Sequence, residues 1–258
     1  MVVIVLIGTA SALSMTSCGQ RDRALDRIQA NGVMRVAIDP SFPPFEFVNE
    51  DGQIAGFDVG LARAIADRLG VEARFITTGY DALYDALAVN HADLIISALY
   101  PDPSRYAHVN FSSAYFNAGQ VLVVRSEDAD SIAGVEDLAG RTVVCVFGTE
   151  GHMIALEWEE QLRPSPTLRT TEVPADVVAL ITGREVDAAL VDSVSALMAQ
   201  SRDPDLRILM PPITDEPYVI AAGREHADLM ATIEGILEDL REDGTLDALT
   251  DHWMRPSP

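Results

Sequence analysis

The chain has 258 residues, 48% of them hydrophobic and 22% charged, with 40 acidic residues against 18 basic ones and a formal net charge of −22. This is a globular composition, long enough for one large domain or two small ones. Every basic residue is arginine, which excludes Schiff-base chemistry, a pyridoxal phosphate anchor and a P-loop lysine, while the acidity argues against nucleic acid and against a basic membrane-binding face.

Residues 1–18 read as a signal peptide. Their apolar part is shorter than the roughly 20 residues of a membrane span and ends in small residues, as a signal does, although no basic stretch precedes it. Met15-Thr16-Ser17-Cys18 resembles the bacterial lipobox, so Cys18 is the expected site of a lipid anchor; a plain cleaved signal is the alternative. The other cysteine, Cys145, lies within Thr142–Phe147 and reads as a small buried hydrophobe. Residues 19–31 form a tether or an added helix.

Gly32–Asp39 is the first expected strand. Pro40–Phe47 cannot continue it, because its prolines remove donors and fix φ. Phe57–Leu69 has helical apolar spacing and ends at Gly70. Val71–Thr77 is a strand, Tyr80–Val89 a helix and Asp93–Ala98 another strand. Pro101-Asp102-Pro103-Ser104 should then stop the strand and start a helix, with Arg105 in its first turn. A cation there opposes the helix dipole, and together with the free N–H groups it would attract an anion such as a carboxylate. Gly119–Val124 is the next strand. A second alternation follows: a short helix at Val135–Leu138, strand Thr142–Phe147, a helix from Thr149 or Glu150 to Gln161, strand Leu168–Val173, helix Ala175–Thr182, strand Ala188–Val191 and helix Ser193–Ser201. Strand Tyr218–Ala222 and helices His226–Arg241 and Leu246–Met254 close the chain. This order predicts an α/β fold with crossover connections.

In this order the chain resembles the extracellular solute-binding proteins that serve polar amino acid ABC transporters. The resemblance is carried by Pro44-Phe45-Glu46-Phe47, Gly56-Phe57-Asp58, Asp93-Leu94-Ile95-Ile96, Arg105, Phe111-Ser112, Asp137-Leu138-Ala139-Gly140, Gly148-Thr149, Val186-Asp187-Ala188, Asp192, Asp243-Gly244-Thr245 and His252-Trp253. It implies two α/β lobes joined by two hinge strands, a Venus flytrap, with residues 32–117 and 217–258 in lobe 1 and 118–216 in lobe 2. It also implies an extracytoplasmic, monomeric binding protein, without catalytic activity, metal or cofactor, whose partners are an amino acid and an ABC transporter permease.

By position, Arg105 matches the arginine that grips the ligand carboxylate, and Asp192 the acid that receives its ammonium. Thr149 matches a helix start that also meets the carboxylate. Phe42 matches the aromatic covering the ligand side chain, and Asp39 a residue that can meet a polar or cationic one. Ala98 and Tyr100 fall on the strand end that lines such sites. Four departures stand out. Tyr100 replaces a small hydroxyl residue, Asp102 stands where a threonine is common, Glu150 stands where a second threonine is common, and Gly60 replaces an aspartate. A charged Glu150 would repel a carboxylate and could select a cationic ligand instead; it could also merely suit the helix dipole.

Simpler roles compete at each position. Asp192 could be only the N-cap of the helix beginning at Ser193, and Asp39 could cap a turn. Phe42 and Phe45 could be core, and Tyr100 could serve lobe packing. The competing function is a prephenate or arogenate dehydratase on the same scaffold, with Glu150 as general acid; a sensory binding protein is a third reading. The five histidines show no metal-ligand spacing.

Overall fold

The computed structural model describes residues 23–254; Cys18 and the expected signal lie outside them. In chain order the elements are α1 (Arg23–Asn31), β1 (Val33–Ile38), β2 (Ser41–Phe42), β3 (Glu46–Val48), β4 (Ile54–Ala55), α2 (Phe57–Leu69), β5 (Glu72–Thr77), α3 (Leu83–Ala88), β6 (Leu94–Ile95), β7 (Val109–Phe111) and β8 (Phe116–Asn117). Then come β9 (Gln120–Arg125), β10 (Thr142–Val146), α4 (Glu150–Gln161), β11 (Thr167–Thr171), α5 (Pro174–Thr182), β12 (Ala188–Asp192), α6 (Ser193–Arg202) and β13 (Leu206–Leu209). The chain returns through β14 (Pro217–Tyr218), β15 (Ala221–Gly223), α7 (Ala227–Glu242) and α8 (Thr245–Met254).

Two five-stranded sheets result. Lobe 1 carries the order β5-β1-β6-β15-β7 and lobe 2 the order β11-β10-β12-β9-β13. In each, parallel strands with helical crossovers form one side, β1 with β5 and β6, β10 with β11 and β12. Antiparallel strands complete the other: β15 against β6 in lobe 1, β9 against β12 in lobe 2. Strands covered on both faces should be almost continuously apolar. Val121–Val124 of β9 and Val143–Cys145 of β10 are accordingly buried. Burial pushes the Cys145 thiol up to about 11, as expected for an inert core cysteine.

Between the lobes, β8 and β14 pair antiparallel, Phe116 opposite Tyr218 and Asn117 opposite Pro217. Asn117 clamps this crossing: its Oδ1 accepts the N–H groups of Gly119 (2.9 Å) and Glu216 (3.1 Å), and its Nδ2 donates to Asp215 (2.8 Å). A Cβ at Gly119 would lie 2.0 Å from the Thr214 carbonyl oxygen, so only glycine fits beside the second crossing strand. At Gly60 a Cβ would fall 2.6 Å from Leu249 Cδ2, the tip of a side chain that can turn aside, so the demand for glycine is weaker there.

The tether-or-helix alternative resolves as helix from Arg23 to Asn31, with Ala24 and Ile28 fully buried. The expected strand Tyr218–Ala222 divides into β14 and β15, with a break at Val219–Ile220, and other expected elements are shorter than their sequence signals. Tyr80–Val89 is a 3-10 turn running into α3. Strand Asp93–Ala98 keeps ladder pairing only at Leu94–Ile95, and at Ala98 the backbone turns left-handed, with φ 40°. The helix expected after Pro103 is a single 3-10 turn, Pro103–Arg105. Asp102 accepts the Ser104 N–H at 2.8 Å, which satisfies the turn locally, and no apolar period follows to extend it. Arg105 therefore does not face a helix dipole, and that part of the argument for it falls.

Candidate functional site

Open α/β sheets bind ligands beyond the carboxyl ends of their strands. There, after β1 and β6, lobe 1 holds a cavity of about 260 Å³. Its floor is Ser97 and Ala98; its walls are Asp39, Phe42, Glu46, Tyr80, Tyr100 and Tyr218. No arginine or histidine is among them. The cavity thus joins aromatic rings, whose faces are electronegative, to two carboxyl groups.

The cavity floor is held from below. Asp39 N–H donates to Ser97 Oγ (3.0 Å), and Ser97 donates to Glu46 Oε1 (3.0 Å). The Ala98 N–H donates to Asp58 Oδ2 at 2.6 Å, and Tyr115 Oη donates to the same oxygen at 2.9 Å. Asp39 Oδ2 accepts the Tyr80 N–H at 2.9 Å, so its side chain holds the distant turn at Tyr80 and not the one at Pro40, while also lining the cavity. Phe45 is wholly buried, whereas Phe42 stacks on it at 5.8 Å with its outer face open. The two phenylalanines divide the alternatives between them, one core and one cavity wall.

Tyr100 faces both the cavity and the hinge. Its ring packs edge-on against Tyr218 (5.0 Å), and its hydroxyl meets Glu216 Oε2 (3.2 Å) and the Tyr218 hydroxyl (3.4 Å). Glu216 also accepts from Thr214 Oγ1 at 3.0 Å. Glu150, the first residue of α4 in lobe 2, lies close to Glu216, and this neighbouring carboxyl, with a smaller contribution from desolvation, raises the Glu150 carboxyl to about 7. A carboxyl from lobe 2, a carboxyl at the hinge and a phenol from lobe 1 are therefore brought together.

The remaining site candidates lie apart from the cavity lining. Arg105 lies with its guanidinium 4.9 Å from the Tyr84 ring centre and 3.7 Å from Asp102, about half exposed. Thr149 caps α4, its hydroxyl accepting the His152 N–H at 3.4 Å and donating to the Val146 carbonyl at 2.7 Å. Asp192 caps α6, with Oδ1 accepting the Ser195 N–H at 2.8 Å. Both caps stand at the carboxyl ends of lobe 2 strands, β10 and β12. Glu46, Tyr80, Tyr218 and Glu216 were missed as site residues. Glu46 had a sequence signal, an acid between two phenylalanines; Glu216 and Tyr218 join the site only through the return crossing. Among the described residues, no group of three or more His, Cys, Asp or Glu is placed to hold a metal, and no helix is long and apolar enough to cross a membrane.

Comparison with known proteins agrees with this geometry. Residues 34–256 match the family model for bacterial extracellular solute-binding proteins, family 3. The chain is 28% identical to the L-cystine-binding protein TcyJ of Escherichia coli K12, over 89% of this chain and 85% of that one. It is 26% identical to the arginine-binding extracellular protein ArtP of Bacillus subtilis 168, over 98% and 97%. Among solved structures, an ancestral cyclohexadienyl dehydratase superposes with a TM-score of 0.76 at 25% identity, covering 89% of this chain and 95% of that one. The two-lobed fold, the cavity at the strand ends and a family match spanning both lobes lead to one conclusion: the chain belongs to family 3 of the bacterial extracellular solute-binding proteins, and acts outside the cytoplasm.

Proposed function

We propose that this protein captures a cationic amino acid, with L-arginine as the reference ligand, by closing its two lobes, and delivers it to the permease of an ABC importer. The observation that carries the cationic reading is the cavity lining: the Asp39 carboxylate among four aromatic rings, with no basic residue. Desolvated cation–π contacts contribute up to about 2 kcal/mol each, and a carboxylate partner adds a charge-assisted bond. The name of the arginine-binding relative supports the same choice. In this reading Arg105 takes the α-carboxylate, Asp192 the α-ammonium, and Thr149 with the following N–H groups assists the carboxylate. Cys18 carries the lipid anchor after removal of the signal, and the protein works as a monomer.

A thermal-shift series of the mature chain with L-arginine, L-lysine, L-histidine, L-glutamine, L-cystine and L-glutamate tests this. Ligand at about 100 times Kd stabilises by roughly 2.7 kcal/mol, several degrees for a chain of this size. The expected result is a shift from the cationic amino acids and none from glutamate. A shift from neutral ligands alone overturns the cationic reading, and no shift from any overturns the amino acid reading.

A second reading has one observation in its favour. Glu150 retains a proton near neutral pH, as a general acid must, and the scaffold superposes on a cyclohexadienyl dehydratase. Turnover of prephenate or arogenate by the same preparation, abolished by Glu150→Gln, would establish it.

A further inference from the structure

Glu46 and Asp58 are wholly enclosed, 1% and 0% exposed. One oxygen of each is satisfied: Glu46 Oε1 by Ser97, Asp58 Oδ2 by Ala98 N–H and Tyr115 Oη. The other oxygens, Glu46 Oε2 and Asp58 Oδ1, receive no donor. Among the described residues neither carboxyl has an ion-pair partner. An unpaired buried acceptor is costly, and two unpaired buried carboxylates beside each other are more so. A single proton shared by the two carboxyls would make one of them a donor and remove one of the two buried charges. The two side chains adjoin, for Glu46 holds Ser97, Asp58 holds the next residue, Ala98, and the Asp58 N–H donates to the carbonyl of Phe45, the residue before Glu46.

The pair sits where it can act. Asp58 holds the Ala98 N–H at the one residue of the cavity floor with a positive φ, 40°, a conformation a side chain bearing Cβ keeps only when its surroundings impose it. Glu46 holds Ser97, which in turn holds the Asp39 N–H. Every floor residue of the cavity therefore hangs from these two carboxyls.

We propose that Glu46 and Asp58 form one positioning unit, two carboxyl groups sharing a single proton, that fixes the Ser97–Ala98 floor of the cavity. The unit works whatever ligand the cavity takes. Burial pushes both carboxyls upward from their ordinary range. The other titratable groups facing them are Asp39, Tyr80, Tyr115 and Tyr218, none of which supplies a positive charge.

The consequence is a proton linkage with a definite sign. In the unfolded chain both carboxyls are ionised above about pH 5. The folded chain retains one more proton, so stability from this unit is full below the unfolded values and declines as pH rises toward the folded ones. The test is urea unfolding of wild type, Glu46→Gln and Asp58→Asn from about pH 5 to about pH 8. Either amide supplies the donor that the shared proton supplies in wild type. The wild-type folding constant should fall relative to both variants by about tenfold per pH unit. Profiles parallel to wild type for either variant, or failure of Glu46→Gln to fold, overturn the shared proton. The positioning role is read by hydrogen exchange at the Ala98 amide relative to the Val36 amide of the same sheet. Glu46→Leu, which removes donor and acceptor together, should exchange at Ala98 at least about tenfold faster than Glu46→Gln. Equal protection in the two overturns the positioning role.

Discussion

Replacing Asp93 by alanine is expected to destabilise lobe 1 by about 3–5 kcal/mol, the usual cost of removing one partner from a buried ion pair. Asp93 is 1% exposed. It accepts from Arg27 through Oδ1, from Arg35 Nη2 through Oδ1 at 2.7 Å, and from Arg35 Nε (3.1 Å) and the Arg35 N–H (2.8 Å) through Oδ2. It thereby joins α1 to β1 at the start of β6. Like charges on paired strands repel, and Arg35 lies in register with Arg74 of β5, so loss of the carboxylate leaves those charges uncompensated. Burial alone would raise the Asp93 carboxyl, but the hydrogen bonds from Arg35 and Arg27 outweigh it and hold it below the ordinary value. Its contribution is then present above the unfolded value and lost as pH falls through the folded one. Thermal unfolding should show a midpoint lowered by roughly 6–20 °C near pH 7, with the gap to wild type closing below about pH 4. A constant gap down to pH 3 would mean that packing, not charge, carries the effect.

Arg105→Ala is expected to do the opposite, sparing stability and removing binding. The Arg105 side chain is half exposed, 3.7 Å from a similarly exposed Asp102, and rests on Tyr84. Such contacts contribute about 0–1 kcal/mol, so the midpoint of the free protein should move by no more than a few degrees. If Arg105 takes the ligand carboxylate, its loss leaves that carboxylate desolvated and unpaired, about 3 kcal/mol or more, a hundredfold or greater loss of affinity. Affinity for L-arginine measured on both proteins decides it. Unchanged affinity would remove Arg105 from the site. Asp192→Asn makes a useful companion, because asparagine still caps α6 while giving up the charge that an ammonium needs.

The fold was legible in the sequence where pattern and punctuation agreed. Apolar runs such as Val121–Val124 and amphipathic segments such as Phe57–Leu69 ended at turn residues gave strands and helices in the observed places. Legibility failed where a local hydrogen bond outbid the pattern: Asp102 closing its own turn, and Ala98 bent away from the ladder by Asp58. Of the candidate site, Asp39, Phe42, Ala98 and Tyr100 line one cavity, because they follow strands whose ends converge. Glu216 and Tyr218 were invisible, since nothing local in Asp215–Tyr218 marks a stretch that returns to the site after lobe 2 has been completed. Glu46 and Asp58 stood in the sequence among the landmarks of the family. Their meaning depends on two buried carboxyls that each keep an oxygen without a donor and hold neighbouring residues of the cavity floor, which no spacing records.

The most direct test of the cationic reading is calorimetric titration of the mature protein with L-arginine in two buffers of different ionisation heat. On closure an arginine side chain in the cavity brings its positive charge toward Glu150 and favours the ionised form of that carboxyl, so the Glu150 proton must leave. Since that proton is held up to about pH 7, the expected result is micromolar or tighter binding with release approaching one proton per ligand at pH 6, shrinking above pH 8. Absence of arginine binding, with heat from neutral or acidic amino acids instead, would contradict the account at its centre.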